Sequence, residues 1–142
     1  MLKRAALLLV LAAALIYLRE PRWMAGVTSG LGGWDGPAGT RFRWTTGHAS
    51  FFVPSDAAAL TLPLKAVVAS PGGRPVTVDV SVDDRWLAAI ELPDPSAWVR
   101  TTLPLPRKTT WRRLRRIDLR VSRTVGVLNR GVLLGEIELQ KK

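Results

Sequence analysis

Cysteine is absent from this 142-residue chain, and histidine occurs once, as His48. Without thiols there is no disulfide framework, no thiolate metal site and no cysteine nucleophile. A zinc centre would have to be built almost wholly from carboxylates, against that metal's preference for nitrogen and sulfur ligands. Acidic charge is scarce as well. Eleven Asp and Glu stand against twenty-one Lys and Arg, for a net charge of +10. The shortage is local: residues 1–99 carry nine basic and eight acidic side chains, whereas residues 100–142 carry twelve and three.

These gaps disfavour most enzyme classes. Glycoside hydrolysis needs two carboxylates facing each other across a bond. Here Asp83 and Asp84 read as a hairpin turn, Asp94 lies between prolines, and Glu136 and Glu138 read as the outward face of the last strand. No G-x-S-x-G elbow accompanies His48, and Thr45-Thr46-Gly47-His48 reads as a hairpin turn with an exposed histidine. The chain is expected to be non-catalytic, with no metal and no cofactor.

What is present begins with an apolar run. Lys3 and Arg4 precede fourteen uninterrupted apolar residues from Ala5 to Leu18. As a helix the run spans about 21 Å, short of a hydrocarbon core of about 30 Å. Leu2 lengthens it, and Lys3, Arg4 and Arg19 can snorkel to close part of the gap. A small-x-small cleavage site is missing after the run, so an uncleaved signal-anchor over residues 1–18 is the expectation. A cleaved export peptide and a buried helix are the alternatives. The positive charge ahead of the run places the amino terminus in the cytoplasm and the rest outside a bacterial-type cell membrane, as a single-pass protein. Trp23 follows at a position suited to the headgroup level. Six glycines between Gly26 and Gly39 suggest that residues 19–39 form a tether.

From Arg41 onward the apolar residues recur with period two, the mark of half-buried strands. Phe42 and Trp44 alternate with Arg41, Arg43 and Thr45, then Phe51 and Val53 with Ser50 and Phe52. The stretch from Leu60 to Val68 alternates too, but Pro63 cannot donate to a ladder, so that strand is an edge or is bulged there. Val76, Val78, Val80 and Val82 form the cleanest strand, followed by the Asp83-Asp84 turn and a return from Trp86 to Leu92. Val99, Leu103 and Leu105 mark another strand. Ile117, Leu119 and Val121 face one way while Arg116, Asp118 and Arg120 face the other, and Leu114 is out of phase, which suggests a bulge before Ile117. Leu133, Ile137 and Leu139 make the last strand. The pattern predicts an all-β domain over residues 40–142, an antiparallel sandwich or barrel of about eight strands in jelly-roll form. No amphipathic helix of 10–15 residues separates the strands, which argues against a parallel βαβ sheet.

Two features suggest a binding role. Six tryptophans are many for this length. Trp34, Trp86, Trp98 and Trp111 are candidates to stack on a sugar ring, although Trp44 and Trp86 lie in phase with core positions and Trp98 suits the end of the sandwich. The basic segment from Arg107 to Arg123 is the other. Trp111, Arg112, Arg113, Arg115, Arg116 and Arg120 are the candidate ligand-binding residues, suited to an anionic polymer or lipid headgroup. An anchored, external domain disfavours nucleic acid as that anion.

The order of these pieces resembles a galactose-binding-like, carbohydrate-binding jelly-roll module, of the kind found in bacterial envelope proteins and as appendages of membrane glycosyltransferases. The residues carrying the resemblance are Arg43-Trp44-Thr45 leading into Ala49-Ser50-Phe51-Phe52-Val53-Pro54, the strand from Val76 to Val82, Trp98-Val99 before Leu103-Pro104-Leu105-Pro106, Ile117 to Arg123, and Gly131 to Leu139. The resemblance implies a jelly roll that binds envelope glycan or scaffolds glycan machinery. The electrostatic alternative is a module for anionic polymer or lipid headgroups through residues 107–123. The sequence leaves the ligand and any protein partner unnamed.

Overall fold

The computed structural model describes residues 2–18, 21–69, 71–108 and 111–141. The expectations placed on Arg19 and Glu20 lie outside the described residues, as do Thr109 and Thr110 of the basic segment. Helix α1 (Leu2–Leu18) contains seventeen residues, about 25 Å at 1.5 Å per residue. Among the described residues no helix is long and apolar enough to cross a membrane. A 3₁₀ turn (Arg22–Gly26) follows.

Among the described residues nine antiparallel strands follow: β1 (Thr28–Leu31), β2 (Phe42–Pro54), β3 (Ala57–Ala66), β4 (Val76–Val82), β5 (Arg85–Leu92), β6 (Val99–Pro104), β7 (Leu114–Val121), β8 (Arg130–Gly135) and β9 (Glu138–Lys141). A front sheet runs β1–β2–β7–β4–β5 and a back sheet runs β2–β8–β3–β6, with β9 beside β3. The strand β2 belongs to both. Its first half pairs with β8 and its second half, from His48, with β7. The all-β, jelly-roll class expected from the sequence is the fold observed.

The core lies between the two layers. Val53, Leu60, Leu62, Leu64, Val78, Val80, Ile117, Leu119, Val132 and Leu134 have no solvent exposure. The valine alternation of β4 is as read, with all four valines buried. Its hairpin to β5 is a two-residue connection in which Asp83 and Asp84 both take positive φ, 49° and 66°. That is the mirror-image turn whose twist matches the flanking strands, and aspartate tolerates it better than bulky residues do.

Several phases differ from the sequence reading. Thr45-Thr46-Gly47-His48 is a bend within one unbroken β2, not a hairpin turn. Continuity carries the inward phase of Ala49, Phe51 and Val53 back to Thr45 and Arg43, so Phe42 and Trp44 lie on the outer face. Buried Thr45 is satisfied because its Oγ1 accepts from the Val132 N–H at 2.9 Å. Trp86 also faces outward, with 67% exposure. The register slips between Val80↔Ala88 and Ser81↔Trp86, so one extra residue of β5 turns the indole away from the core. No bulge separates Leu114 from Ile117; the pairing of β2 with β7 is regular from Pro54↔Leu114 to His48↔Arg120.

The last strand is divided into β8 and β9, with Val132 and Leu134 inward in place of Leu133. The division explains Pro63. Pairing runs Leu64↔Leu134 on one side and Thr61↔Glu138 on the other, so the ladder slips opposite Leu62 and Pro63, where proline has no N–H to offer. Pro63 thus sits at an irregularity of an interior strand, not at an edge.

The stretch read as a tether is corrected at Thr28–Leu31, which pairs with β2 as Thr28↔Phe51, Ser29↔Ser50 and Leu31↔Thr45. Gly30 makes this pairing sterically feasible. Its φ is +64°, and a Cβ there would fall 2.0 Å from the His48 carbonyl oxygen. Gly30→Ala should therefore destabilise the protein by about 2 kcal/mol in urea unfolding. A free tether would tolerate the change without measurable loss.

Candidate functional site

Strand alternation places one row of side chains on the outer face of the front sheet. Cross-strand pairing lines up Ser29, Ser50, Asp118, Ser81 and Trp86 from β1 to β5. The row on one side of it contains His48, Arg120 and Asp79, and the row on the other side contains Phe52 and Arg116. The residues His48, Asp79, Ser81, Asp84, Trp86, Arg116, Asp118 and Arg120 line a depression of about 430 Å³.

Its polar floor is held by a short network. Asp118, although on the outer face, is 8% exposed. Its Oδ2 accepts from Arg116 Nε at 2.9 Å, and its Oδ1 lies 3.4 Å from His48 Nε2. Arg116 also pairs with Asp84. The hydrogen bond to Asp118, reinforced by the charges of Asp118 and Asp84, holds the Arg116 guanidinium above the ordinary arginine value. Two carboxylates from different elements thus fix one arginine in place. Beside it, Arg120 is exposed and lies between His48 and Asp79 in the ladder. Trp86 stands at the rim, its indole N–H 3.4 Å from Asp79 Oδ1, a long contact that leaves the ring faces open.

The sequence-predicted candidates divide into three groups. Arg116 and Arg120 join this depression. Arg115 points the other way: it is 7% exposed, donates from Nε to Asp83 Oδ2 at 3.1 Å, and donates from Nη1 to the Pro106 carbonyl at 2.6 Å. Its guanidinium is occupied in tying β7 to the β4–β5 turn and to the segment after β6. Trp111, Arg112 and Arg113 are exposed just before β7, at the end of the strand away from Arg120. His48, Asp79, Ser81, Asp84 and Trp86 enter the site without having been grouped with the arginines by sequence. The alternation of β7 and β4 carried part of that signal. The pairing of β7 with β4, and the bulge that exposes Trp86, did not show in the sequence.

The other indoles lie elsewhere. Trp98 packs against Phe42 with ring centroids 6.4 Å apart, on the outer side of the back sheet. It borders a depression of about 210 Å³ together with Pro63 and the Arg41–Glu136 and Arg100–Glu138 ion pairs. Trp34 is covered by Arg43 at 4.5 Å and Arg41 at 5.4 Å, and Trp44 by Arg130 at 4.7 Å. Burial lowers the affinity of Arg43 for its proton. Among the described residues no group of three His, Asp or Glu side chains is gathered closely enough to hold a metal ion.

No protein-family model and no curated protein matches the chain. Among solved structures it is similar to the C-terminal CBM6 of LamC, a marine laminarinase from Zobellia galactanivorans, at 11% identity and a TM-score of 0.47, covering 81% of this chain and 91% of that one. It is also similar to CsCBM6-3 from Clostridium stercorarium, solved in complex with cellobiose, at 12% identity and a TM-score of 0.47, over 82% and 87% of the two chains. A glycoside hydrolase family 43 arabinoxylan arabinofuranohydrolase from Bacillus subtilis is similar at 8% identity and a TM-score of 0.45; this chain spans 24% of its length. The ligand question falls to this chain's own surface.

The different roles of the basic residues are measurable. Arg115→Ala should cost about 2 kcal/mol of stability, because it removes a buried guanidinium together with its hydrogen bonds to the Asp83 carboxylate and the Pro106 carbonyl. Arg120→Ala should stay within about 0.5 kcal/mol of the unmodified protein. Urea midpoints at a fixed slope would separate the two.

Proposed function

We propose that this is a non-catalytic carbohydrate-binding protein of a bacterial-type cell envelope, attached to the membrane by α1, with its β-domain on the extracytoplasmic side. The observation that supports sugar binding is the front-sheet depression: an exposed indole beside fixed carboxylates and guanidinium groups. The C–H face of a pyranose stacks on an aromatic ring, and its hydroxyls need donors and acceptors already held in position. Trp86 offers the ring. Asp118 and Arg116 hold each other, so they can meet a hydroxyl without first being ordered.

The charge balance selects among ligands. Asp79, Asp84 and Asp118 outnumber Arg116 and Arg120 by one, so this face suits a neutral saccharide better than a polyanion. On this face the electrostatic alternative loses weight, since Arg116 is already paired with Asp84 and Asp118 and the inward Arg115 with Asp83; Lys108, Arg112 and Arg113 lie outside the depression. For α1, Lys3 and Arg4 at one end and the tryptophan after the other would make up the shortfall in length.

Probing an array of neutral and acidic glycans with the purified full chain tests this reading. Binding to a neutral glycan should fall tenfold or more with Trp86→Ala and persist with Trp98→Ala. Silence across the array, or binding indifferent to Trp86, would refute it.

A further inference from the structure

The chain returns from α1 to the sandwich at the same end where β7 begins. Pro21, Arg22 and Ala25 line a depression of about 160 Å³ with Arg113 and Leu114. Leu18 closes α1, and the three peptide steps to Pro21 cover at most about 11 Å. The foot of α1 therefore stands beside this end of the β-domain. Further cations meet there. The Ser55 N–H donates to the Arg113 carbonyl at 2.8 Å, which joins the β2–β3 turn to the start of β7. Next to that turn, Lys108 and Lys141 share a depression of about 210 Å³ with Asp56. Trp23 and Trp111 are 67% and 66% exposed at this end.

We infer that this end of the domain is a docking surface for anionic phospholipid headgroups. The inference rests on the reading of α1 as the membrane segment and adds to it a lipid preference. Continuity of the chain with α1 brings the surface to the bilayer, and its charge suits phosphate. Indoles settle at headgroup depth, while Lys and Arg near an anionic surface each strengthen association about fivefold. Arg22, Lys108, Arg112, Arg113 and Lys141 would meet phosphates, with Trp23 and Trp111 seated among the headgroups. The glycan-binding depression is separate in composition and shares none of these residues.

The test uses the full chain with vesicles of phosphatidylcholine, and with vesicles that also contain phosphatidylglycerol, both carrying a headgroup-labelled nitroxide lipid that quenches indole emission. Flotation with phosphatidylcholine alone reads α1. The expected result is flotation with both vesicles and stronger quenching with phosphatidylglycerol. The excess should fall with Trp111→Phe and return to the phosphatidylcholine level with Arg112→Glu/Arg113→Glu, while flotation persists. Lys108→Glu/Lys141→Glu should reduce it too, which covers the case in which the arginine pair disturbs the fold. Equal quenching in both lipids, or an excess that survives charge reversal, would overturn the inference. Flotation only with phosphatidylglycerol would overturn the reading of α1 and support the surface. No flotation with either would overturn both.

Discussion

The alternation of side chains along β7 is the constraint on which the core and the candidate site both depend. The strand runs between β2 and β4, so each of its two faces meets neighbours on both sides. Ile117 and Leu119 are fully buried among the core residues. Burial of each is worth about 1.5–3 kcal/mol, whereas an exposed ion pair contributes about 0–1 kcal/mol. The core residues therefore set the phase. Once they do, Arg116, Asp118 and Arg120 can only project from the opposite face. The polar face follows from the hydrophobic one.

The tight turn at Asp83-Asp84 links these two faces. Asp83 takes a left-handed conformation, accepts the Arg116 N–H at 2.9 Å with Oδ1, and accepts Arg115 with Oδ2. Its own N–H donates to the Arg116 carbonyl at 2.9 Å. The turn thus extends the β4–β7 ladder by a side chain and fixes where β7 begins. Asp84, one residue on, reaches Arg116 on the outer face. The same dipeptide closes a hairpin, neutralises an inward arginine and orients an outward one. This arrangement divides the basic segment into parts with different roles. Arg115 belongs to the fold, Arg116 and Arg120 to the front face, and Trp111 to Arg113 to the end near α1.

Legibility in the sequence followed the strength of local pattern. The four valines of β4, the aspartate turn and the opposed faces of β7 all showed as period two or as turn chemistry, and each stands as read. Where a bulge or a shared strand intervenes, period two misleads. Trp86 reads as inward until the extra residue of β5 is counted, and Trp44 reads as inward unless β2 is known to continue through Gly47. The strand at Thr28–Leu31 was hidden by its glycines, because Gly30 is needed for close approach to the His48 carbonyl and looks like a linker residue. Arg115 was grouped with its basic neighbours because its partner, Asp83, lies 32 positions earlier in the sequence. Pairings between distant strands, which assemble Trp86, Asp79 and Ser81 beside Arg116, have no local signature.

The central claim is that the outer face of the front sheet, and not the indole platform around Trp98, receives a saccharide. Nuclear magnetic resonance titration of the isotope-labelled full chain with the best-bound glycan tests it most directly. The account predicts that the Trp86 indole N–H and the backbone amides of Ser81, Asp118 and Arg120 shift together and saturate at one concentration, with Trp98 unmoved. Shifts confined to Trp98, Arg41 and Arg100, or no saturable shift for any glycan, would contradict it.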